Sequence, residues 1–301
     1  AITIKPTPRV ERLRETYMSL KPTASIDRAR IETRVMKETE GEPMITRKAK
    51  VFAAIVRELP IDVYPDELLL GYSNVKPRCS SVSPANGPVL EMFLEKGISP
   101  PSTDGAGYDT YDLNSLTEAE KRELREEIIP YWKGNGNYEK TIGMHYGHNI
   151  IGYEKVLRKG FAGIKKQAED RLSRIDITDP EEMTKVPFLE GVVMAMTAVT
   201  ELGIRFAAKA RERAEEETDP QRKAEILRMA EIFDRIPANT PITFYEALQT
   251  CYMTWMLSLW ENRYAGGESV GRVDQYLYPY YERDLAEGRI TQAEAQELID
   301  W

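Results

Sequence analysis

The chain is poor in the residues that most often carry chemistry. It has two cysteines and two histidines among 301 residues. Two cysteines make no disulfide framework, so a reducing compartment, the cytoplasm, is the expected setting. Basic charge is in deficit, with 41 Lys and Arg against 49 Asp and Glu and a net charge of -8. A nucleic-acid surface needs a basic excess, so no nucleic-acid partner is expected. No period of 20 to 50 residues repeats, which argues against a solenoid. The opening residues, AITIKPTPRVERLRE, lack the apolar core of a secretory leader. The most membrane-like run, Ile242 to Trp260, carries Glu246 and Gln249. It reads as a buried helix, so no membrane partner is expected. P-loop, G-x-S-x-G and H-E-x-x-H patterns are absent, and Gly266, Gly267 and Gly271 lack dinucleotide-fingerprint spacing.

What is present is helical punctuation. The apolar spacing predicts helices over Val10–Leu20, over a segment opened by Ser25 and closed by Gly41, and over Met44–Glu58. The last of these is expected to bury Ile45, Ala49, Phe52, Ala53 and Val56. Ile61–Tyr64 and Leu68–Tyr72 read as two short strands around a Pro65-Asp66-Glu67 turn. Thr117 with Glu120, Thr243 with Glu246, and Thr291 with Glu294 have capping-box spacing. Asp179-Pro180 and Asp219-Pro220 are further helix starts. A helix over Pro187–Glu217 is apolar nearly all round in its first half, which is expected to lie deep. The final helix ends in Leu298 and Trp301 with no evident partner, which suggests a piece of something longer. The fold class expected is mainly α with a few short strands.

Two loops stand out. Lys133 to Gly152 holds both histidines, His145 and His148, and Asn262 to Gly271 is rich in glycine. Three readings of the histidines stand: hydrogen-bonded packing in a loop, a metal pair short of its remaining ligands, or substrate contact from a loop held by rigid helices. No bound metal is expected. Cys79 and Cys251 read as structural thiols, Cys251 buried within an aromatic helix. Tyr276, Tyr278, Tyr280 and Tyr281 read as core and interface filling.

Six stretches, in order, resemble one family. SIDRARIETRVMKETEGEPMITRKAKVFAAIV and PDELLLGYSN are similar to the N-terminal signature of the glycyl radical enzymes. EEIIPYWKGN, GHNIIGYEKVLRKGFAGIKKQAEDRL, TFYEALQ and the segment from SVGRVDQYLYPYYERDLAEGRIT through AEAQELI follow in that family's order. The resemblance is to the pyruvate formate-lyase-like branch, which includes glycerol and hydroxyproline dehydratases, choline lyase and sulfonate lyases.

The resemblance implies that residues 1–301 are the N-terminal part of a ten-stranded α/β barrel wrapped in a helical shell. It implies a glycyl radical as the cofactor, no directly bound metal or nucleotide, and radical lyase or dehydratase chemistry on a small polar substrate. Acyl transfer of the formate C-acetyltransferase kind and a non-catalytic scaffold subunit are the alternatives. The family's Gly-Cys-Val-Glu-like cysteine loop and Arg-Val-Ala-Gly-Tyr-like glycyl loop do not occur here. The catalytic cysteine and the radical are therefore expected downstream, and this stretch alone is expected to be inactive. Partners implied are a small-molecule substrate, a separate S-adenosylmethionine-dependent iron–sulfur activating enzyme, the remainder of the polypeptide or a second chain, and a second copy in a homodimer. His148 matches the position of a substrate-binding histidine, with Tyr146 beside it. Asn262, Arg263, Gly267 and Ser269 fall in the second pocket segment. Gly266-Gly267 stand where the glycerol enzyme has a His-Ser pair, which argues against glycerol and leaves room for a larger substrate, with Arg263 available to an anionic group.

Overall fold

The computed structural model describes residues 5–72, 75–82, 87–96, 113–134, 150–261 and 269–301. Its elements in order are α1 (Pro8–Ser19), β1 (Thr23–Ser25), α2 (Asp27–Glu38), α3 (Met44–Glu58), β2 (Cys79–Ser81) and α4 (Gly87–Lys96). Then come α5 (Glu118–Glu123), α6 (Ile129–Gly134), α7 (Tyr153–Leu172), α8 (Pro180–Met183) and α9 (Val186–Glu216). The series closes with α10 (Pro220–Arg235), α11 (Phe244–Glu261), α12 (Val273–Ala286) and α13 (Gln292–Asp300). The chain is mainly α, as its sequence suggested. Among the described residues the strands form one parallel pair, β1 with β2, in which Ala24 faces Ser80.

Local chemistry explains most boundaries. Thr117 with Glu120, and Thr291 with Glu294, form complete capping boxes. Thr243 and Glu246 exchange the same pair of bonds ahead of α11. Each box satisfies backbone donors that a helix start leaves free. Between α5 and α6 the chain widens into a π turn over Leu124–Ile128, one residue short of Pro130, which has no N–H to offer the α ladder. Gly160 breaks α7 at φ 63°, ψ 169°. There Phe161 and Ala162 donate their N–H groups to the carbonyls of Pro237 and Ala238 instead of continuing the helix ladder.

Helix α9 is the axis of the bundle, packed against α3, α7 and α10. Phe206 on α9 stacks on Phe233 of α10 at 5.0 Å. The expectation that the first half of α9 lies deep is corrected. Gly191, Ala198 and Val199 are buried, but Val192, Val193, Met194 and Met196 are half-buried and Phe188 is exposed. An apolar sequence all round a helix does not say which side finds a neighbour. An 18-residue window in this stretch reaches a mean hydropathy of 1.4 and satisfies the length and composition of a membrane span. Its packing on three helices and its charged second half mark it as the central helix of a bundle. The buried face of α3 is corrected in part: Ala53 and Val56 are buried as expected, while Ile45 is not. Arg47, Val51, Ala53, Ile55 and Val56 face inward, and Ile45 is exposed.

The two strands expected over 61–72 do not form. This extended segment pairs with side chains of α11 rather than with another strand. Gln249 accepts from the Leu70 N–H at 2.7 Å and donates to the Leu70 carbonyl at 3.0 Å. Tyr245 donates to the Leu68 carbonyl, Tyr252 to that of Gly71 at 2.7 Å, and Trp260 to that of Tyr72 at 2.9 Å. One helix thus satisfies a buried backbone that would otherwise need a ladder. Ordinary strand composition without a strand partner is the source of the misreading.

A second recurring device closes helix C-termini with arginine from a neighbouring helix. Arg47 of α3 donates to the Met36 carbonyl of α2 at 2.6 Å. Arg205 of α9 donates to the Val56 and Leu59 carbonyls at the end of α3. The last-turn carbonyls lack intrahelical donors and carry the negative end of the helix dipole, so a guanidinium suits them. At the chain's end, Leu298 is buried, and Trp301 meets the edge of Tyr252 at a ring distance of 5.0 Å. Both side chains expected to lack partners therefore have them.

Candidate functional site

Of the residues that the sequence suggests for a substrate pocket, Ser269 falls among the described ones. His145, Tyr146, His148, Asn262, Arg263, Gly266 and Gly267 lie outside them. The flanks of their two segments are described, and they converge. The first segment leaves α6 and re-enters at Ile150, three residues ahead of α7. The second leaves α11 at Glu261 and re-enters at Ser269, four residues ahead of α12.

Ile150 and Ser269 form a parallel β-bridge, so the two incoming ends run side by side. Gly271 takes a positive φ of 64°, and a Cβ there would stand 2.9 Å from the Ile150 side chain. Glycine is what allows this approach. Ser269 Oγ accepts from the Gly271 N–H at 3.1 Å, which shapes the turn into α12. Tyr276 donates to the Val270 carbonyl at 2.6 Å, and its ring stacks on Tyr153 at 5.7 Å. The first residue of α7 and the fourth of α12 therefore brace the junction from behind. Its front is open: Ile150 is 71% exposed and Val270 50%.

The departing ends are fixed as firmly. Trp132 on α6 is buried and donates to Thr33 Oγ1 on α2 at 2.9 Å. Trp260 on α11 is buried and donates to the Tyr72 carbonyl. Helices thus hold the described ends that flank both segments.

Beneath α11 lies a titratable group that sequence reading passed over. Glu67 is fully buried, and its Oε2 accepts from the Tyr64 N–H at 2.6 Å. Burial raises its pKa to about 8, against the smaller opposing effects of the Tyr64 amide and Tyr72 hydroxyl. The signal available in sequence was a Glu inside the apolar run after Pro65.

Both thiols are buried and free; burial was expected for Cys251 and is found for Cys79 as well. Desolvation raises the Cys251 thiol to about 12 and shifts Cys79 upward as well. Neither is a thiolate at neutral pH, and neither is activated as a nucleophile. No group of three potential metal ligands occurs among the described residues. The open grooves elsewhere are lined by charges already paired, such as Arg30 with Glu123, Arg34 with Glu58, and Arg213 with Asp62.

The family model described as "Pyruvate formate lyase-like" matches residues 5–301. Isethionate sulfite-lyase of Desulfovibrio desulfuricans is 34% identical over 97% of this chain and 38% of the relative's length. Among solved structures, a protein of 1,2-propanediol dehydration in Roseburia inulinivorans superposes with a TM-score of 0.86 at 31% identity. It covers 98% of this chain and 37% of that one. A glycyl radical enzyme from Archaeoglobus fulgidus superposes with a TM-score of 0.82 at 30% identity, over 97% of this chain and 39% of that one. The chain spans less than two fifths of the length of these relatives.

Proposed function

The chain belongs to the pyruvate formate lyase-like family, and from this we propose that it is the N-terminal part of a glycyl radical lyase or dehydratase acting on a small hydroxylated substrate. The observation that carries the reading is the family match along residues 5–301. The isethionate and 1,2-propanediol relatives supply the substrate class, a short carbon chain bearing a hydroxyl.

The radical itself is assigned to sequence beyond this stretch. The residues present do not fit it. The family's glycyl and cysteine loops do not occur here, and both cysteines are buried, protonated thiols within regular structure. The work proposed for this stretch is to bind, orient and enclose. His148, as a neutral imidazole, hydrogen-bonds a substrate hydroxyl and fixes which hydrogen atom faces the radical centre. Tyr146, Asn262, Gly267 and Ser269 line the same pocket, and Arg263 meets a negative group where the substrate has one. The open parallel bridge at Ile150 and Ser269 supports a further proposal: it is the start of barrel strands, and its exposed apolar side chains lie against the rest of that barrel. The helical shell then excludes water and oxygen, which would quench a carbon radical.

In keeping with the family, the protein is proposed to act in the cytoplasm as a homodimer. A separate S-adenosylmethionine-dependent iron–sulfur enzyme is proposed to activate it. The test is turnover by the activated full polypeptide against a panel of hydroxylated substrates, neutral and sulfonated. His148→Ala should lower kcat/KM at least a hundredfold while leaving radical yield unchanged. Arg263→Leu should affect anionic substrates alone. Unchanged turnover in His148→Ala would remove the pocket assignment. Exchange of acyl groups without C–O or C–S cleavage would assign acyl transfer instead.

A further inference from the structure

Helix α2 touches the departure points of both loop segments. Its Arg28 is 3% exposed and its Glu32 4%. Arg28 Nε donates to Glu32 Oε1 at 2.6 Å, one turn along the same helix. That pairing leaves the two terminal nitrogens of the guanidinium aimed at α11. Nη1 donates to the Leu259 carbonyl at 3.4 Å and Nη2 to the Glu261 carbonyl at 3.2 Å. Between these two residues, Trp260 is held by Tyr72. Five residues further along α2, Thr33 receives the indole N–H of Trp132 and donates to the Ala29 carbonyl at 2.7 Å.

We infer that Arg28 is a positioning residue for the proposed substrate site: oriented by Glu32, it locks the last turn of α11, and α2 thereby fixes the end of α11 and the end of α6 on one rigid element. The inference rests on the reading above, in which the segments after Glu261 and after α6 carry the substrate contacts.

The chemistry requires arginine. The last carbonyls of α11 have no intrahelical donors, and their dipoles favour a cation. Lysine could meet one carbonyl, but it has no planar fork to span two while a third nitrogen holds a carboxylate. Glu32 keeps the buried guanidinium neutralised and sets its rotation. Arg47 and Arg205 close other helix ends in the same way, but those ends do not lead into a candidate segment. The candidate segment 262–268 begins in sequence directly after Glu261, the residue whose carbonyl Arg28 holds.

The experiment uses the full polypeptide in three forms: Arg28→Lys, the double variant Arg28→Met with Glu32→Leu, and wild type. The double variant removes both charges, so that no buried carboxylate is left unpaired. Amide hydrogen exchange reads Leu259–Glu261 against Val199–Phe206 of α9 as an internal control. The double variant should speed exchange at Leu259–Glu261 at least tenfold and leave α9 unchanged, with Arg28→Lys intermediate. In the activated protein, KM should rise at least tenfold with radical yield unchanged. Unaltered exchange at Leu259–Glu261, equal acceleration in α9, or a normal KM despite a frayed turn would each overturn the inference. A wild-type polypeptide that forms no radical would remove the proposed function, and the exchange comparison would still decide the anchoring of α11.

Discussion

The side-chain amide of Gln249 holds both backbone groups of Leu70, accepting from its N–H and donating to its carbonyl, across 179 positions of sequence. A helix side chain here replaces the neighbouring strand. Gln249 and Leu70 are both buried, so no water replaces the bonds if they are lost. Gln249→Leu should cost about 2–6 kcal/mol, from two buried backbone groups left unpaired at about 1–3 kcal/mol each. Urea unfolding at constant m-value measures it, and a loss below about 1 kcal/mol would show that the segment finds other partners.

Glu67 gives the fold a pH dependence of defined sign. Its folded pKa, raised by burial to about 8, lies above its ordinary value of 4.5. Between those values the folded state keeps a proton that the unfolded state releases. Stability from this group is complete below about pH 4.5 and is lost as pH rises through about 8. The slope approaches about 1.4 kcal/mol per pH unit inside that window. Glu67→Gln, which keeps an acceptor for the Tyr64 N–H, should abolish that component, so the variant gains on wild type with each step from pH 5 to 8. Parallel stability curves for the two proteins would contradict the assignment.

Gly160 occupies backbone space that other residues reach only with strain, and any Cβ there would press into the Ala238 carbonyl. Gly160→Ala should destabilise the protein by at least about 2 kcal/mol, combining the conformational cost with displacement of that loop. Thermal unfolding checks this. A neutral substitution would mean the break in α7 relaxes without cost.

Cys79 and Cys251 should resist thiol reagents in the native state at pH 7, because each is buried and its thiol pKa is raised. In denaturant both should react at the rate of free cysteine. Rapid native labelling of either would show that its surroundings open.

Features settled within one turn of chain were legible in the sequence. Thr117, Thr243 and Thr291 cap helices because the donors they satisfy lie within three residues. The range Met44–Glu58 was equally local, bounded by prolines at 43 and 60. Its inward face was legible only in part: Ala53 and Val56 are buried as expected, but Ile45 is apolar yet exposed, while Arg47 is charged yet buried beneath the end of α2. Leu68–Tyr72 had strand composition, but its partners are α11 side chains far along the chain. The same limit hid the roles of Arg28 and Thr33. Arg28 and Glu32 lie one turn apart on α2, but the carbonyls that Arg28 holds, at Leu259 and Glu261, are more than 200 residues along the chain. For the candidate site, the sequence singled out two segments, and the structure added the bridge between Ile150 and Ser269 at their ends.

The proposed function makes this helical assembly the N-terminal casing of a glycyl radical enzyme. Electron paramagnetic resonance of the full polypeptide tests it most directly, recorded anaerobically after incubation with an iron–sulfur activating enzyme and S-adenosylmethionine. The account predicts a doublet from an α-hydrogen-coupled glycyl radical that collapses to a singlet after exchange into deuterated water. A silent spectrum from fully activated samples, with a co-treated family member giving its doublet, would contradict it.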